Sequence, residues 1–116
     1  MTPLKINQVA AGGRNVTYQI HGHAEKGELP PTPVQMSKGL KLSSALWIVQ
    51  EKLTLHLWWS EDDYLFPMES RNSARFDSCI KPPDEWNGII YLSSSNWGVP
   101  PTPGGKRFFV ILDFDR

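Results

Sequence analysis

Phe108-Phe109-Val110-Ile111-Leu112 is apolar at every position and is built almost wholly from aromatic and β-branched residues. The run is too short for a helix of ordinary length, so it predicts a strand that is buried on both faces. Such a strand lies inside a sheet and has a neighbour on each side. We therefore expect a β-domain in which residues 107–114 form a central strand.

Two earlier stretches alternate between apolar and polar residues, as half-buried strands do. The apolar set is Val16, Tyr18 and Ile20 in residues 15–23, and Leu53, Leu55, Leu57 and Trp59 in residues 53–59. The residues between these apolar ones are predicted to face water, and they include Gln19, His21, His23, His56 and Trp58.

Residues 40–49 are predicted to form a strand with Leu40, Leu42, Leu46 and Ile48 on one face and Ala45, Trp47 and Val49 on the other. Residues 43–58 also fit a helix, because Leu46, Val49, Leu53 and Leu57 recur at helical spacing. Their β-branched and aromatic content favours two strands instead.

Prolines mark the remaining segments. Residues 24–38 contain three prolines without periodicity, which is typical of a long connection. Pro67 has no backbone N–H to donate to a neighbouring strand, so residues 64–68 are predicted to form an edge strand or a bulge. Residues 81–88 begin with prolines and end in Asn-Gly, the order expected of one short helical turn.

The spacing of these segments predicts about eight short strands in an all-β fold. We expect residues 1–116 to form one antiparallel domain, either a β-sandwich or a small β-barrel. Such a domain leaves its polar strand faces and loops available for function.

Composition excludes several classes of function. Twelve basic residues balance twelve acidic ones, so the chain lacks the positive field with which proteins attract nucleic acid. It also lacks an apolar stretch of the roughly 18 to 20 residues that would cross a bilayer. Cys79 is the single cysteine and has no partner within the chain for a disulfide. The expectation is a soluble cytoplasmic protein that binds neither nucleic acid nor membrane.

Five tryptophans are many for a chain of this size. Trp47 and Trp59 fall on faces expected inside, whereas Trp58 is on a wet face and Trp86 and Trp97 lie among Pro, Gly, Ser and Asn. Indole rings offer a flat apolar surface and an N–H donor, which suits stacking on a ring-bearing ligand. Loop tryptophans also serve as lids over the ends of a sandwich, or as dimer contacts.

These residues lead to the main functional prediction, which is non-catalytic binding of a small apolar or ring-bearing ligand at one end of the sheet. The predicted ligand-binding residues are Trp58, Trp97, Tyr64, Gln19 and His56. Under this interpretation the protein needs no cofactor and is not an enzyme. An alternative interpretation treats the exposed aromatics as a surface for a homo-oligomer or another partner, without a ligand.

His21-Gly22-His23 places two imidazoles two residues apart on one strand face, a spacing at which both can bind one metal ion. With Glu28, the sequence resembles the first motif of the cupin superfamily, which runs glycine, His-x-His, a short gap and then glutamate. The glycine ahead of that motif is displaced here, and the superfamily's second motif is absent from the sequence. The resemblance implies an alternative function, a metal-dependent enzyme in which His21, His23, Glu28 and His56 hold a divalent transition metal.

Overall fold

A computed structural model of the chain describes residues 4–12, 15–24, 29–36, 39–96 and 106–115. Within these residues the chain forms strands and no helix, so the all-β prediction is confirmed. The strands are β1 (Leu4–Gly12), β2 (Asn15–Ala24), β3 (Leu29–Gln35), β4 (Lys41–Val49), β5 (Leu53–Ser60), β6 (Asp63–Glu69), β7 (Arg71–Ile80), β8 (Ile89–Asn96) and β9 (Lys106–Asp115). Residues 43–58 are strand, turn and strand rather than a helix.

The strands form two antiparallel sheets, one of five strands in the order β1-β2-β9-β4-β7 and one of four in the order β3-β8-β5-β6. Strand β9 lies in the middle of the five-stranded sheet, as predicted for residues 107–114. From β2 onward, the chain crosses between the sheets after every strand except β5. This order of β2 to β9 is a jelly roll, in which two four-stranded sheets pack as a sandwich and β1 extends one of them.

One side of each sheet supplies the core, because residues in a strand point alternately to opposite faces. Val16, Tyr18 and Ile20 of β2 are buried, as are the four apolar residues of β5, so both predicted alternations are confirmed. In β9 the residues from Phe108 to Phe114 are alternately buried and half-buried. The prediction that this strand is buried on both faces is therefore wrong for its outer face.

A β-bulge in β4 overturns the predicted face of Leu46 and Ile48. Leu42 lies opposite Phe114 and Ser44 lies opposite Asp113, so Ser43 is the extra residue between two regular pairs. The extra residue reverses the alternation, since two residues here oppose one on the partner strand. Leu40, Leu42, Ala45, Trp47 and Val49 are consequently all buried, while Leu46 and Ile48 point outward and are 41% and 42% exposed.

Strand β3 replaces part of the connection predicted for residues 24–38. Pro30, Pro31 and Pro33 have no N–H to donate, but β3 lies at the edge of its sheet and pairs only with β8. An edge strand tolerates proline because one side of its backbone needs no partner strand. Pairing with β8 therefore makes a strand of a segment whose sequence is typical of a loop.

Two other proline segments gave different outcomes. The prediction for residues 64–68 is confirmed, because β6 is the other edge of the four-stranded sheet and its pairing with β5 is irregular. The helical turn predicted in residues 81–88 is wrong. That segment contains a tight turn at Asp84 and Glu85, and Trp86 donates its backbone N–H to the Pro83 carbonyl oxygen at 3.2 Å. The part of the chain that the structure describes contains no helix of the length and apolarity required to span a membrane.

Candidate functional site

The outer face of the four-stranded sheet carries a cluster of aromatic and hydroxyl side chains. Strand β5 buries Leu55 and Leu57, so the alternating residues His56 and Trp58 point away from the core. His56 lies opposite Ser93 of β8, and Trp58 lies opposite Tyr91. The water-facing orientation predicted for His56 and Trp58 is therefore present in the fold.

A bulge in β6 brings Tyr64 onto the same face. Leu57 pairs with Phe66 and Trp58 pairs with Tyr64, which leaves Leu65 as the extra residue. The Tyr64 ring lies 4.7 Å from the Trp58 ring at 64°, an edge-to-face contact, and 5.7 Å from the His56 ring. Tyr64 is 45% exposed, so part of its side chain remains accessible beside Trp58.

Hydrogen bonds fix the other two rings of the cluster. The Trp58 Nε1–H donates to Ser93 Oγ at 3.0 Å. His56 Nδ1 lies 3.0 Å from the Tyr64 hydroxyl, and His56 Nε2 lies 3.0 Å from Ser95 Oγ. A neutral imidazole donates through one nitrogen and accepts through the other, so one of the two hydroxyls donates to His56. Contacts within the protein thus hold these two rings in place.

Glu69 supplies the negative charge beside this cluster. Its carboxylate accepts a hydrogen bond of 2.8 Å from Thr54 Oγ1. Desolvation lowers the pKa of His56 below its ordinary value of 6.5, while the charge of Glu69 opposes that shift. Desolvation and Glu69 both raise the pKa of Tyr64 above 10.0. His56 and Tyr64 are therefore both neutral near pH 7.

Among the described residues, the groups around His56 differ from those of an activated serine–histidine pair. A serine–histidine pair is activated when a third group, usually a carboxylate, orients the imidazole. Here Ser95 and Tyr64 hydroxyls occupy the two nitrogens of His56, and the nearby carboxylate of Glu69 binds Thr54 instead. Stacking and hydrogen bonding are the interactions that these side chains offer.

One of the predicted ligand-binding residues lies away from this cluster. Gln19 lies in β2 between the buried Tyr18 and Ile20, so it belongs to the outer face of the five-stranded sheet. The outer faces of a sandwich point away from each other, and Gln19 is therefore remote from Trp58. Trp97 lies outside the described residues.

The predicted metal ligands are also divided between the two sheets. His21 and His23 point outward from β2, and the His21 ring packs against Phe109 at 4.6 Å. His56 is on the outer face of the opposite sheet, so the structure does not bring it to the pair. Glu28 lies outside the described residues. Among the side chains described, no three from His, Cys, Asp and Glu are grouped as a metal ion requires.

Packing accounts for the glycine between the two histidines. Gly22 points inward and lies directly opposite Phe108 of β9. A Cβ at this position would lie 1.9 Å from Cζ of the Phe108 ring, so any side chain larger than hydrogen would overlap the ring. The His-x-His spacing thus coincides with a position where the core admits only glycine.

Sequence reasoning missed the polar partners of the cluster, which are Thr54, Glu69, Ser93 and Ser95. The alternation of Ser93 and Ser95 in residues 89–96 was a usable signal, since both share one strand face. Their role depends on β8 being the neighbour of β5, which the order of strands along the chain does not reveal. Comparisons of the chain with protein-family models, with curated proteins and with solved structures give no match.

Proposed function

We propose that the outer face of the four-stranded sheet binds a small ring-bearing ligand, which stacks on Tyr64 beside Trp58. The observation that carries the proposal is the packing of three rings on one open sheet face, with Tyr64 accessible and the other two rings held by hydrogen bonds. An aromatic surface at the protein exterior is the usual platform for a sugar ring, a nucleobase or another planar group.

Preorganisation supports this proposal. Ordering a flexible side chain on binding costs about 0.5 to 1.5 kcal/mol. Trp58 and His56 are already fixed by Ser93 and Ser95, so a ligand would not have to restrict them. Little of the free energy gained by stacking on Tyr64 would therefore be lost to ordering the neighbouring side chains.

The polar groups around the rings define the ligand further. The hydroxyls of Tyr64 and Ser95 each retain the capacity for an additional hydrogen bond, because a hydroxyl has one donor and two acceptor sites. The carboxylate of Glu69 disfavours an anionic group nearby. The proposed ligand is accordingly an uncharged or cationic ring with hydrogen-bonding substituents. Trp97, predicted from the sequence alone, stays a candidate contact.

The proposal is for a binding protein without a cofactor, in the cytoplasm. The lone Cys79 supports that compartment, because a reducing environment does not require cysteines to be paired. The metal-dependent alternative has no supporting observation among the described residues, since His56 lies apart from His21 and His23.

The test is a ligand screen by thermal shift, using monosaccharides, nucleosides and small aromatic amines, followed by calorimetry of each stabilising compound. Tyr64→Ala should weaken binding about tenfold or more, because it removes the stacking surface. Tyr64→Phe should retain most of the affinity. Leu46→Ala is the matched control, since Leu46 is similarly exposed on the other sheet, and it should leave affinity unchanged. Stabilisers whose affinity is the same for the wild type and Tyr64→Ala would refute the site.

A further inference from the structure

The outer face of the five-stranded sheet has an exposed apolar centre. Leu46 and Ile48 of β4 are, with Tyr64, the large apolar side chains most exposed among the described residues. They lie directly opposite Ile111 and Phe109 of β9, which point to the same face and are half-buried. Four contiguous apolar side chains on a sheet face are typical of a surface that another molecule covers.

Charges of opposite sign flank this centre along β9, the middle strand of the sheet. The outward residues of β9 are, in order, Arg107, Phe109, Ile111, Asp113 and Asp115. The row begins with a cation and ends with two carboxylates, with an apolar pair between them. It therefore complements itself when a second copy is turned end for end.

The two ends of the face are concave. At the acidic end, a hollow of about 540 Å³ is lined by polar side chains that include Asp77, Asp113 and Asp115, and the cation in its lining is Arg75. The basic end has a hollow of about 490 Å³ around Arg107 and His21, and its lining contains no carboxylate. A projecting guanidinium thus has a negatively charged recess to enter at the other end of the same face.

Hydrogen bonds hold the acidic end in place. Thr17 Oγ1 donates to one oxygen of the Asp113 carboxylate at 2.6 Å, and Ser44 Oγ donates to the other at 2.9 Å. Asp115 accepts a long contact of 3.7 Å from the Cys79 thiol. Asp115 lies opposite Lys41 of β4 but, unlike Asp113, accepts no short hydrogen bond from a described side chain, so it is the carboxylate better placed to bind a cation from outside.

We propose that this face is a dimer interface between two copies of the chain. The two-fold axis lies in the interface and runs across the strands near Ile111, so that β9 of one copy packs antiparallel over β9 of the other. Leu46 and Ile111 of both copies meet at the axis, Ile48 and Phe109 lie beside them, and Arg107 of each copy meets Asp115 of the other. A two-fold interface uses the same patch on both subunits, which the order of charges along β9 satisfies.

The test measures mass by analytical ultracentrifugation over a range of concentrations up to millimolar. The wild type should reach twice the 13.2 kDa of one chain. Leu46→Lys should shift the dissociation constant upward by about tenfold or more, because Leu46 lies opposite Ile111 at the axis and the variant brings two lysines together there. Tyr64→Lys, a matched change on the opposite sheet, should leave the dissociation constant unchanged. Circular dichroism spectra confirm that each variant is folded.

Charge reversal tests the arrangement itself. Arg107→Glu alone should oppose two acidic ends, and Asp115→Arg alone should oppose two basic ends, so each variant should dimerise at least about tenfold more weakly than the wild type. An equimolar mixture of the two should recover the dimer, because both contacts between unlike chains are again attractive. A wild type that stays monomeric at millimolar concentration would overturn the interface. A mixture no more associated than the separate variants would overturn the two-fold arrangement.

Discussion

Replacing Gly22 by alanine tests whether the Phe108 ring dictates the residue between the two histidines. The added Cβ would lie 1.9, 2.3 and 2.6 Å from three atoms of that ring, all far inside van der Waals contact. Phe108 is buried and is paired with Gly22 on one side and Val49 on the other, so its ring has little room to move. Overpacking of this kind costs about 1 to 3 kcal/mol.

The measured effect will be smaller than the steric cost alone. Alanine is more favourable than glycine within a strand by about 0.5 to 1 kcal/mol. We therefore expect Gly22→Ala to lower the free energy of unfolding by about 1 to 2 kcal/mol and the melting temperature by about 5 °C. Urea unfolding gives the first quantity and calorimetry gives the second.

A double-mutant cycle with Phe108→Leu isolates the ring. Leucine lacks the Cε and Cζ atoms that would overlap the new methyl group but keeps an apolar side chain in the core. In that background Gly22→Ala should become neutral or stabilising, so the coupling free energy should be at least about 1 kcal/mol. Equal destabilisation in both backgrounds would show that the ring is not the reason for glycine at this position.

Three further predictions concern the charged and polar groups. Because desolvation lowers the folded-state pKa of His56, the unfolded chain binds more protons between that pKa and 6.5. The stabilisation from neutral His56 should be complete above pH 6.5, fall as the pH drops through that value, and be absent from His56→Gln in matched urea titrations. Glu69→Gln should lower the pKa of both His56 and Tyr64, since the charge of Glu69 raises both, and NMR titration measures each. Thr17→Val should lower the free energy of unfolding by about 1 kcal/mol in urea titrations, because the Asp113 carboxylate loses a donor; an unchanged value would contradict that role.

The elements that could be predicted from sequence are those whose alternation is unbroken. Strands β2 and β5 alternate without interruption over their predicted ranges, and their buried residues were identified correctly. Strand β9 was identified as central from its continuous apolar run, and its place in the middle of the sheet is confirmed although its outer face is only half-buried. In β2 and β5 the period of two in the sequence is also the period of burial.

Bulges explain most of what sequence reasoning got wrong about faces. The bulge at Ser43 adds one residue to β4 and turns Leu46 and Ile48 outward, although leucine and isoleucine favour the core. The bulge at Leu65 turns Tyr64 to the outer face of its sheet, where its ring lies beside Trp58. Neither site carries glycine or another residue that marks a bulge, so the reversal becomes visible only in the pairing of the strands.

Part of the candidate site could be predicted from the alternation of side chains within one strand. His56 and Trp58 share a face through alternation within one strand, which the sequence displays directly. Their hydrogen-bond partners Ser93 and Ser95 lie in β8, and the chain between β5 and β8 forms one strand of each sheet, β6 and β7. Long-range pairing in a jelly roll is set by how the two sheets pack, and a local pattern does not encode it.

The two proposals use opposite outer faces of the sandwich, which limits what they can do together. In the proposed dimer, the five-stranded sheets face each other across the two-fold axis and the four-stranded sheets face outward in opposite directions. The two Tyr64 platforms would therefore not reach one flat surface at the same time, so dimerisation would not increase affinity for ligands displayed on such a surface. The same geometry would let one dimer connect two separate ligand-bearing molecules. Cross-linking that is lost in both Tyr64→Ala and Leu46→Lys, but kept in Tyr64→Phe, would require both faces to act as proposed.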